Sequence, residues 1–413
     1  MSEPGIACAA GNNAADFWRS LTTGNQDGLV KVKTHSGREF YAAKIADGAL
    51  KKTGARHDMR VIQIMDAALE QIAPTVLAAK QKFGAARVAV CVGCCDNGSE
   101  FSVAGHREYF EKGAFPQNYT LEIQSADYPA TYAKEKFGLQ GPACVFATAC
   151  SSSGSAIIKA AQLINAGIVD AAICGGVDVA SDTVLLGFDS LEAVSENKTN
   201  PFSANRSGIT LGEGAAFFLL TKDKDLAGAS RGGSSDSGLA SDCAVALLGY
   251  GESADASHMT APLADGSGAL SAMKEALADA GLDASEIDYV NLHGTGTKLN
   301  DSMEAKAVSE AFEKVLAALP CSSTKPMTGH TLGASSAVEL AACWLSIVNN
   351  NGAAAANIKL PLHVYDGDYD SSIPRLNLIG PETKFTKPIN VCMSNSFGFG
   401  GCNVSLIIGK TNG

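Results

Sequence analysis

Cys150 is the first residue of this 413-residue chain whose position suggests chemistry. It follows the apolar run 143–149 and precedes three serines and a glycine, so it falls where a strand passes into a helix. The first N–H groups of a helix are unpaired and carry the positive end of its dipole. We expect these groups to lower the pKa of the thiol and favour nucleophilic attack on an acyl group. Taken alone, a buried structural cysteine is an equally good interpretation.

Two of the seven histidines lie in turns rich in glycine and threonine. His293 stands in NLHGTGTKLND (291–301), and His330 stands in KPMTGHTLG (325–333), just before an apolar helix. In open α/β sheets, ligand sites gather beyond the carboxyl ends of the strands, which favours a functional interpretation of both. A fourth segment, SNSFGFGG (394–401), offers bare backbone N–H groups. It does not fit the dinucleotide fingerprint and suits an oxyanion better than a pyrophosphate.

The elements that must position these residues alternate between strands and helices. Short apolar runs predict buried strands over 87–94, 143–149, 168–176, 286–294 and 389–397. Helical spacing of apolar residues, with glycine at the ends, predicts helices over 151–167, 269–281 and 335–352. This alternation predicts an α/β architecture with mainly parallel, buried sheets.

Composition excludes several classes of protein and partner. The chain is 46% hydrophobic, too apolar for a disordered protein, and its net charge of −11 argues against nucleic acid as a partner. We expect no membrane span, because no uninterrupted apolar run approaches the necessary length of about 20 residues. The twelve cysteines lie mostly in apolar runs, and no secretory signal is visible, so we expect a reducing, cytoplasmic location. Cys91 and Cys94 lack a second pair for zinc and indicate a strand interior.

Taken together and in this order, TACSSS, HGTGTKLND, KPMTGHTLGAS and NSFGFGG resemble the motifs of the beta-ketoacyl-ACP synthases, in the elongating Cys-His-His group of the thiolase superfamily. The resemblance covers nearly the whole chain. It implies a thiolase-like fold of two pseudo-repeated α/β halves in a layered α-β-α-β-α arrangement. Residues 1–240 would carry the nucleophile and residues 241–413 both histidines. The Gly/Ser-rich composition of 227–242 predicts a surface loop or linker between these halves, and a disordered insertion and an ordered excursion are equally open interpretations of it. The resemblance also implies a homodimer.

The resemblance implies a role for each motif residue. The implied catalytic residues are Cys150, His293, His330, Lys325, Glu304 and Phe399. The implied substrate-binding residues are Thr295, Thr297, Thr260, Gly398 and Gly400. Cys150 would take the acyl chain, and the histidines would stabilise the enolate left when malonyl thioester loses CO2. The N–H groups of Cys150 and Phe399 would form an oxyanion hole, and Lys325 and Glu304 would form a supporting pair. No metal or redox cofactor is implied, because the phosphopantetheine arm arrives on the substrate.

The implied partner is an acyl carrier protein. Carrier proteins are acidic, so an acidic enzyme must present a local basic face to them. Five basic residues lie in segments that match the docking region of the family: Lys51, Lys52, Arg56, Arg60 and Arg206. Ordinary solvated surface charge is an equally good interpretation of these residues.

Three positions depart from the family pattern. Ser203 and Ser207 stand where acidic residues are usual, and Cys402 stands where threonine or alanine is usual. Two alternatives to fatty-acid elongation stay open: a specialised ketosynthase of polyene or polyketide synthesis, and a non-catalytic partner subunit like the chain-length factors. The intact Cys150 argues against the second alternative. The sequence does not fix the length or saturation of the acyl chain.

Overall fold

The computed structural model describes residues 1–54, 58–96, 98–228 and 243–411. Its strands, in chain order, are β1 (Gly5–Cys8), β2 (Leu29–Lys33), β3 (Glu39–Ala43), β4 (Val88–Gly93), β5 (Ala143–Phe146), β6 (Ala171–Asp178), β7 (Leu211–Gly212), β8 (Gly214–Thr221), β9 (Ala244–Ala254), β10 (Tyr289–Asn291), β11 (Pro320–Ser322), β12 (Asn377–Leu378), β13 (Val391–Phe397) and β14 (Cys402–Thr411). Its helices are α1 (Ala14–Thr23), α2 (Arg60–Phe83), α3 (Ser99–Lys112), α4 (Tyr128–Phe137), α5 (Ser152–Asn165), α6 (Asp182–Ser190), α7 (Lys224–Gly228), α8 (Ser267–Ala280), α9 (Lys298–Ala311), α10 (Lys325–Thr328) and α11 (Ser335–Asn349).

Two large mixed sheets organise the chain. The first has the strand order β1-β8-β6-β4-β5, and the second has the order β12-β11-β10-β13-β14-β9. Parallel pairing joins β6, β4 and β5 in the first sheet and β12, β11, β10 and β13 in the second. The remaining strands of both sheets pair antiparallel. A small third sheet contains β2, β3 and β7.

Side-chain alternation along the strands separates the core into layers. In β8, Ala216, Phe218 and Leu220 face the central core, whereas Ala215, Phe217 and Leu219 face an outer one, as the period of two requires. Helices α5 and α11 contact each other in the central layer between the two sheets. Helices α2 and α4 cover the outer face of the first sheet, and α8 and α9 form the outer layer of the second. The predicted α-β-α-β-α layering is therefore confirmed.

Helix α11 is buried on all sides because it lies between two sheets. Its residues 335–348 are all buried, so it has no polar face of the kind that surface helices show. By length and composition alone, this helix, counted from Leu332 to Asn349, and α2 could each cross a membrane. Within the protein, 94% of the α11 window and 50% of the α2 window are buried. Burial in the core accounts for the apolar character of α11.

The strands and helices predicted around the motifs are all present. Cys91 lies inside β4 as expected, whereas Cys94 lies just beyond the end of that strand, so the expectation of a strand interior is wrong for Cys94. The expectation of mainly parallel sheets is wrong for the β1–β8–β6 side of the first sheet and the β13–β14–β9 side of the second. The proposed division at 240/241 stays a prediction, since it falls among residues 229–242, outside the described part. Within the described part, every strand of the first sheet precedes that stretch, and every strand of the second follows it.

The parallel strands deliver the motif residues to one place. β5 leads to Cys150, β10 to His293, β11 to Lys325 and β13 to Phe399, each just beyond the carboxyl end of its strand. Asn291, at the end of β10, is in register with Ser322 of β11 and with Ser394 of β13. Strands β10 and β11 therefore end level with each other at one edge, where a site is expected in such sheets, and β13 continues three residues further to Phe397.

Candidate active site

Cys150 lies in a tight turn between β5 and α5. Ala149, just before it, has a φ of 53°, in the left-handed region that non-glycine residues rarely adopt. Such a backbone conformation costs about 1–3 kcal/mol, and it is found mainly where a site requires it. The backbone N–H groups of Phe399 and of Cys150 itself lie near the sulfur and act to lower the pKa of the thiol. The turn thus places the thiol close to N–H groups from both halves of the chain.

The environment of Cys150 raises the pKa of its thiol to about 11. Burial is the largest cause, since the residue is only 5% exposed. The positive charge of Lys325 and the two backbone N–H groups act in the opposite direction but do not outweigh burial. The expectation of a lowered pKa is therefore wrong for the free protein. The helix terminus supplies donors, while the loss of water around the sulfur is the larger effect.

His330 contacts the sulfur directly. Its Nε2 lies 3.0 Å from Cys150 Sγ, and its Nδ1 accepts a hydrogen bond of 3.1 Å from the backbone N–H of Leu332. A ring nitrogen that accepts carries no proton, so the proton of the neutral ring is on Nε2. His330 therefore presents an N–H donor to the sulfur.

His293 has the same tautomer for a different reason. Lys325 Nζ lies 3.2 Å from His293 Nδ1 and, as an ammonium, can only donate to it. The His293 and His330 rings meet edge to face, with their centroids 5.3 Å apart. Burial, and after it the charge of Lys325, holds the pKa of both rings well below the usual range. Both imidazoles are thus neutral near pH 7 and present Nε2–H groups.

Lys325 pairs with Glu339, which differs from the partner that the resemblance implied. The Lys325 ammonium contacts the Glu339 carboxylate, and the two side chains are 1% and 2% exposed. Glu304 instead accepts the backbone N–H groups of His293 and Gly294, each at 2.7 Å. Glu304 therefore shapes the turn that carries His293. Sequence reasoning missed Glu339, although a single carboxylate in the otherwise apolar helix α11 was a usable signal, since such groups are seldom buried unpaired.

A cavity of about 330 Å³ opens onto the sulfur and both histidines. Thr295, Thr297 and Thr260 line its wall, and the hydroxyls of the first two are 3.0 Å apart. Gly398, Phe399 and Gly400 form another part of the lining. Gly400 has a φ of 82°, and its N–H donates to the carbonyl of Met259 at 2.7 Å, which links the glycine turn to the 257–262 loop.

The ring of Phe399 stands beside a second aromatic ring that the sequence did not point to. It stacks on Phe188 of α6, with ring centroids 5.6 Å apart and ring planes at 23° to each other.

Two of the departures from the family pattern have hydrogen-bond partners nearby. Ser207 lines the cavity, and its hydroxyl oxygen is 2.8 Å from that of Ser195. The Ser203 hydroxyl donates to the Asp366 carboxylate at 3.0 Å. The third departure, Cys402, begins β14. The two serines therefore have local partners in place of the salt links that acidic residues would make.

The cysteine and the two histidines are also the one cluster, within the described residues, whose donor atoms could surround a metal ion. Their ligand atoms lie within 4.8 Å of one another. A histidine that binds metal through Nε2 normally donates its Nδ1–H to an acceptor. Here Nδ1 of each ring faces a donor, Leu332 N–H or the Lys325 ammonium. The surroundings thus favour Nε2–H donors over metal ligands.

The structure does not leave all five docking candidates available. Arg206 is 4% exposed and pairs with Asp370 at 2.6 Å, so its predicted docking role is wrong. Arg60 is engaged by Glu213 and Asp47. Lys51 and Lys52 are exposed, and Arg56 lies outside the described residues.

Comparison with known proteins agrees with this geometry. The N-terminal domain model of beta-ketoacyl synthases matches residues 5–225, and the C-terminal domain model matches residues 244–359. The chain belongs to the beta-ketoacyl synthase family. It is 30% identical over 420 residues to 3-oxoacyl-[acyl-carrier-protein] synthase 2 of Vibrio cholerae, covering 98% of this chain and 96% of that one. It is 33% identical over 323 residues to nodulation protein E of Rhizobium meliloti, covering 78% and 75% of the two chains.

Among solved structures, the chain is similar to the ketosynthase ApeO from Xenorhabdus doucetiae, in complex with its chain length factor ApeC. The TM-score is 0.85 at 35% identity, and the match covers all of this chain and 97% of that one. A beta-ketoacyl synthase from Burkholderia phymatum matches with a TM-score of 0.79 at 27% identity, covering 100% and 99%. These matches confirm the family, the thiolase-like fold and the expectation of a condensing acyltransferase.

The raised thiol pKa predicts how the free protein reacts with an alkylating agent. Because the thiolate is the reactive form and is a minor species below pH 11, the alkylation rate of Cys150 should rise about tenfold per pH unit between pH 7 and 10. Iodoacetamide labelling followed by peptide mass spectrometry measures this rate. A rate that levels off below pH 8 would contradict the raised pKa.

The buried ion pair predicts a large loss of stability when one partner is neutralised. Glu339→Gln leaves the Lys325 ammonium buried and unpaired, so the free energy of unfolding should fall by about 3–5 kcal/mol. Glu310→Gln is the matched control, because Glu310 pairs with Lys274 at the surface, where both side chains are more than half exposed. Urea denaturation of both variants gives the comparison. Equal losses in the free energy of unfolding would show that the buried pair stabilises the fold no more than the surface pair does.

Proposed function

We propose that the protein is a beta-ketoacyl-[acyl-carrier-protein] synthase of fatty-acid-type chain elongation. The observation that carries this proposal is the convergence of two kinds of donor on one cavity. Two backbone N–H groups act on the thiol of Cys150, and two neutral histidines present Nε2–H groups in the same cavity. Such donors stabilise negative charge that develops on a thioester oxygen without being charged themselves.

In the first half-reaction, the sulfur of Cys150 attacks the carbonyl carbon of an acyl thioester. The N–H groups of Cys150 and Phe399 receive the oxyanion of the tetrahedral intermediate. The thioester C–S bond of the carrier then breaks, and the thiol proton of Cys150 ends on the released carrier thiol. Covalent capture divides one difficult condensation into two easier steps.

In the second half-reaction, a malonyl thioester loses CO2, and the electron pair of the broken C–C bond becomes an enolate. The Nε2–H groups of His293 and His330 donate to its oxygen. The enolate carbon attacks the acyl group on Cys150, the new C–C bond forms, and the Cys150 thiolate leaves and takes a proton from solvent. Lys325 and Glu304 are positioning residues here, since they hold His293 through its ring and its backbone N–H.

Thr295, Thr297 and Thr260 are proposed to bind the phosphopantetheine arm, because all three line the cavity. Gly398 and Gly400 let the turn that carries Phe399 approach the substrate closely, and the Phe399 ring would gate the acyl chain.

We propose no metal or redox cofactor, since the donor geometry suits hydrogen bonding and the arm arrives on the carrier. The cysteines of the described part are all free, which agrees with a reducing cytoplasm.

A specialised ketosynthase of polyene or polyketide synthesis is a second candidate. The similarity to ApeO, at 35% identity over the whole chain, favours it, because ApeO is a ketosynthase that forms a complex with a chain length factor. The same site chemistry serves both functions, and they differ in the acyl chain and the partner. The third candidate, a non-catalytic subunit like a chain-length factor, is disfavoured by the complete set of Cys150, His293 and His330.

A dimer is proposed from two exposed features of the described chain. Strand β5 pairs with β4 alone, carries no charge and leads directly to Cys150, so it is an open edge of the kind proteins normally cover. An aromatic surface, which we define as Val103, Tyr109, Phe110, Phe115 and Leu121, leaves 42–83% of each side chain exposed. Helix α4 links the two features, because it packs against β5 and against the 121–124 segment. We propose that a second copy of this chain covers both.

The dimer proposal predicts that charge on the aromatic surface separates the subunits. Phe110→Glu combined with Leu121→Glu should convert a dimer to a monomer in size-exclusion chromatography with light scattering, because both side chains are more than 80% exposed. Leu77→Glu, at an exposed position of α2, is the matched control and should stay dimeric. A wild-type monomer would overturn the homodimer and leave a chain-length-factor-like subunit as the partner to test.

The proposed function predicts covalent loading of Cys150. Intact-protein mass spectrometry after mixing with a panel of acyl-carrier thioesters should show a gain of one acyl group, absent in Cys150→Ala. His293→Ala should load the acyl group but lose about 10²–10³ in the rate of CO2 release from malonyl carrier. The chain that loads fastest distinguishes fatty-acid from polyene use. A folded protein that takes no acyl group from any carrier would overturn the proposal.

A further inference from the structure

Three cysteines lie side by side across the first sheet. Cys91 of β4 is in register with Cys144 of β5 on one side and with Cys174 of β6 on the other. Cys91 and Cys174 belong to the central core and Cys144 packs against it, so the three side chains share one face of the sheet. Cys91 and Cys174 are fully buried, whereas Cys144, on the edge strand, is half-buried. Solvent therefore reaches this row of thiols at Cys144.

Cys91 and Cys144, which we call the thiol pair, contact each other through their sulfurs. The two Sγ atoms are 3.6 Å apart. Residues in register on neighbouring strands are separated by the strand spacing of about 4.8 Å. This spacing lies within the range of about 4.4–6.8 Å between the Cα atoms of disulfide-bonded cysteines. A covalent bond between the two sulfurs therefore requires little movement of the backbone.

The surroundings give the two thiols different roles. The pKa of Cys144 is lowered, mainly because the Cys91 thiol can donate a hydrogen bond to a Cys144 thiolate; burial opposes this effect, and the positive charge of Lys159 adds to it. A thiolate at Cys144, and after it burial, raises the pKa of Cys91. Cys144 is thus the thiolate of the pair and Cys91 the thiol. Because the thiolate is the nucleophile, Cys144 is the sulfur that reacts first with an electrophile.

We propose that the thiol pair is a modification site at which hydrogen peroxide produces a reversible disulfide. The Cys144 thiolate attacks one peroxide oxygen, the O–O bond breaks, and the leaving hydroxide takes a proton to become water. Cys91 then attacks the sulfur of the resulting sulfenic acid, the S–O bond breaks, and the hydroxide leaves with the Cys91 proton as a second water. The thiol pair loses two electrons, and the peroxide gains two.

This site is separate from the catalytic chemistry and compatible with the proposed dimer. The step does not involve Cys150, so the inference does not rest on the proposed function. A second copy that pairs with β5 would use the backbone groups of its open edge, whereas the thiol pair lies on a face of the sheet. In a reducing cytoplasm the bond would be transient, as redox-sensing disulfides are.

The test treats the reduced full-length protein with a small molar excess of hydrogen peroxide at pH 7. Remaining thiols are then blocked, and the peptides are mapped by mass spectrometry without reduction. The expected product is a cross-link between the peptides of Cys91 and Cys144, two hydrogens lighter than their sum, which dithiothreitol reverses. In Cys144→Ala, oxidation of Cys91 should slow at least about tenfold, because a buried thiol of raised pKa is a poor nucleophile.

Cys174→Ala is the matched control, because Cys174 is the other in-register neighbour of Cys91 but is fully buried. This variant should form the Cys91–Cys144 cross-link at the wild-type rate. Free Cys91 and Cys144 in the treated wild type would overturn the proposal, whichever other cysteines are oxidised. A cross-link of Cys91 to Cys174 that forms in Cys144→Ala as fast as the wild-type one would also overturn it. Neither result depends on acylation of Cys150, so the proposed function is tested separately.

Discussion

The site depends on one buried cation. The Lys325 ammonium contacts Glu339, the backbone carbonyl of His293 and the Nδ1 of its ring. A buried ammonium without an anion would cost several kcal/mol, so the pair with Glu339 is a condition of the fold. Glu339 lies on α11, the helix between the two sheets, and the geometry of the site is therefore anchored in the centre of the core. Because Lys325 can only donate, it also determines which nitrogen of His293 carries the proton.

The same burial gives the site its electrostatic character. Removal of water lowers the pKa of both histidines and raises that of Cys150, so the resting site holds neutral donors around a neutral thiol. In the proposed reaction, new negative charge develops on an oxyanion, an enolate or the thiolate, and donors already in place would stabilise it without reorganisation. Ala149 directly precedes Cys150, and Leu332 lies two residues after His330; both have a φ of 53°. The backbone is thus strained at the two turns that bring the sulfur and the imidazole together.

Not all basic side chains that the sequence suggested for binding an acidic partner are free to do so. Arg206 forms an ion pair with Asp370, and Arg60 forms one with Glu213, both within the protein. Five of the eleven exposed large apolar side chains of the described residues belong to the aromatic surface, which we propose a second subunit covers.

The sequence alone determined the local secondary-structure elements and the side chains that are available for chemistry. Strand and helix periods, glycine turns and the four motifs were enough to place Cys150, His293 and His330 at strand ends and to indicate the family. Tertiary structure decided which charges pair: Lys325 meets Glu339, which lies 14 residues further on in an apolar helix, while Glu304 binds backbone N–H groups. It also decided the thiol pKa, because burial depends on all that surrounds the sulfur. Pairing partners, burial and exposure depend on how the segments pack together. A local pattern, such as the single carboxylate of α11, can indicate a buried pair but cannot name its partner.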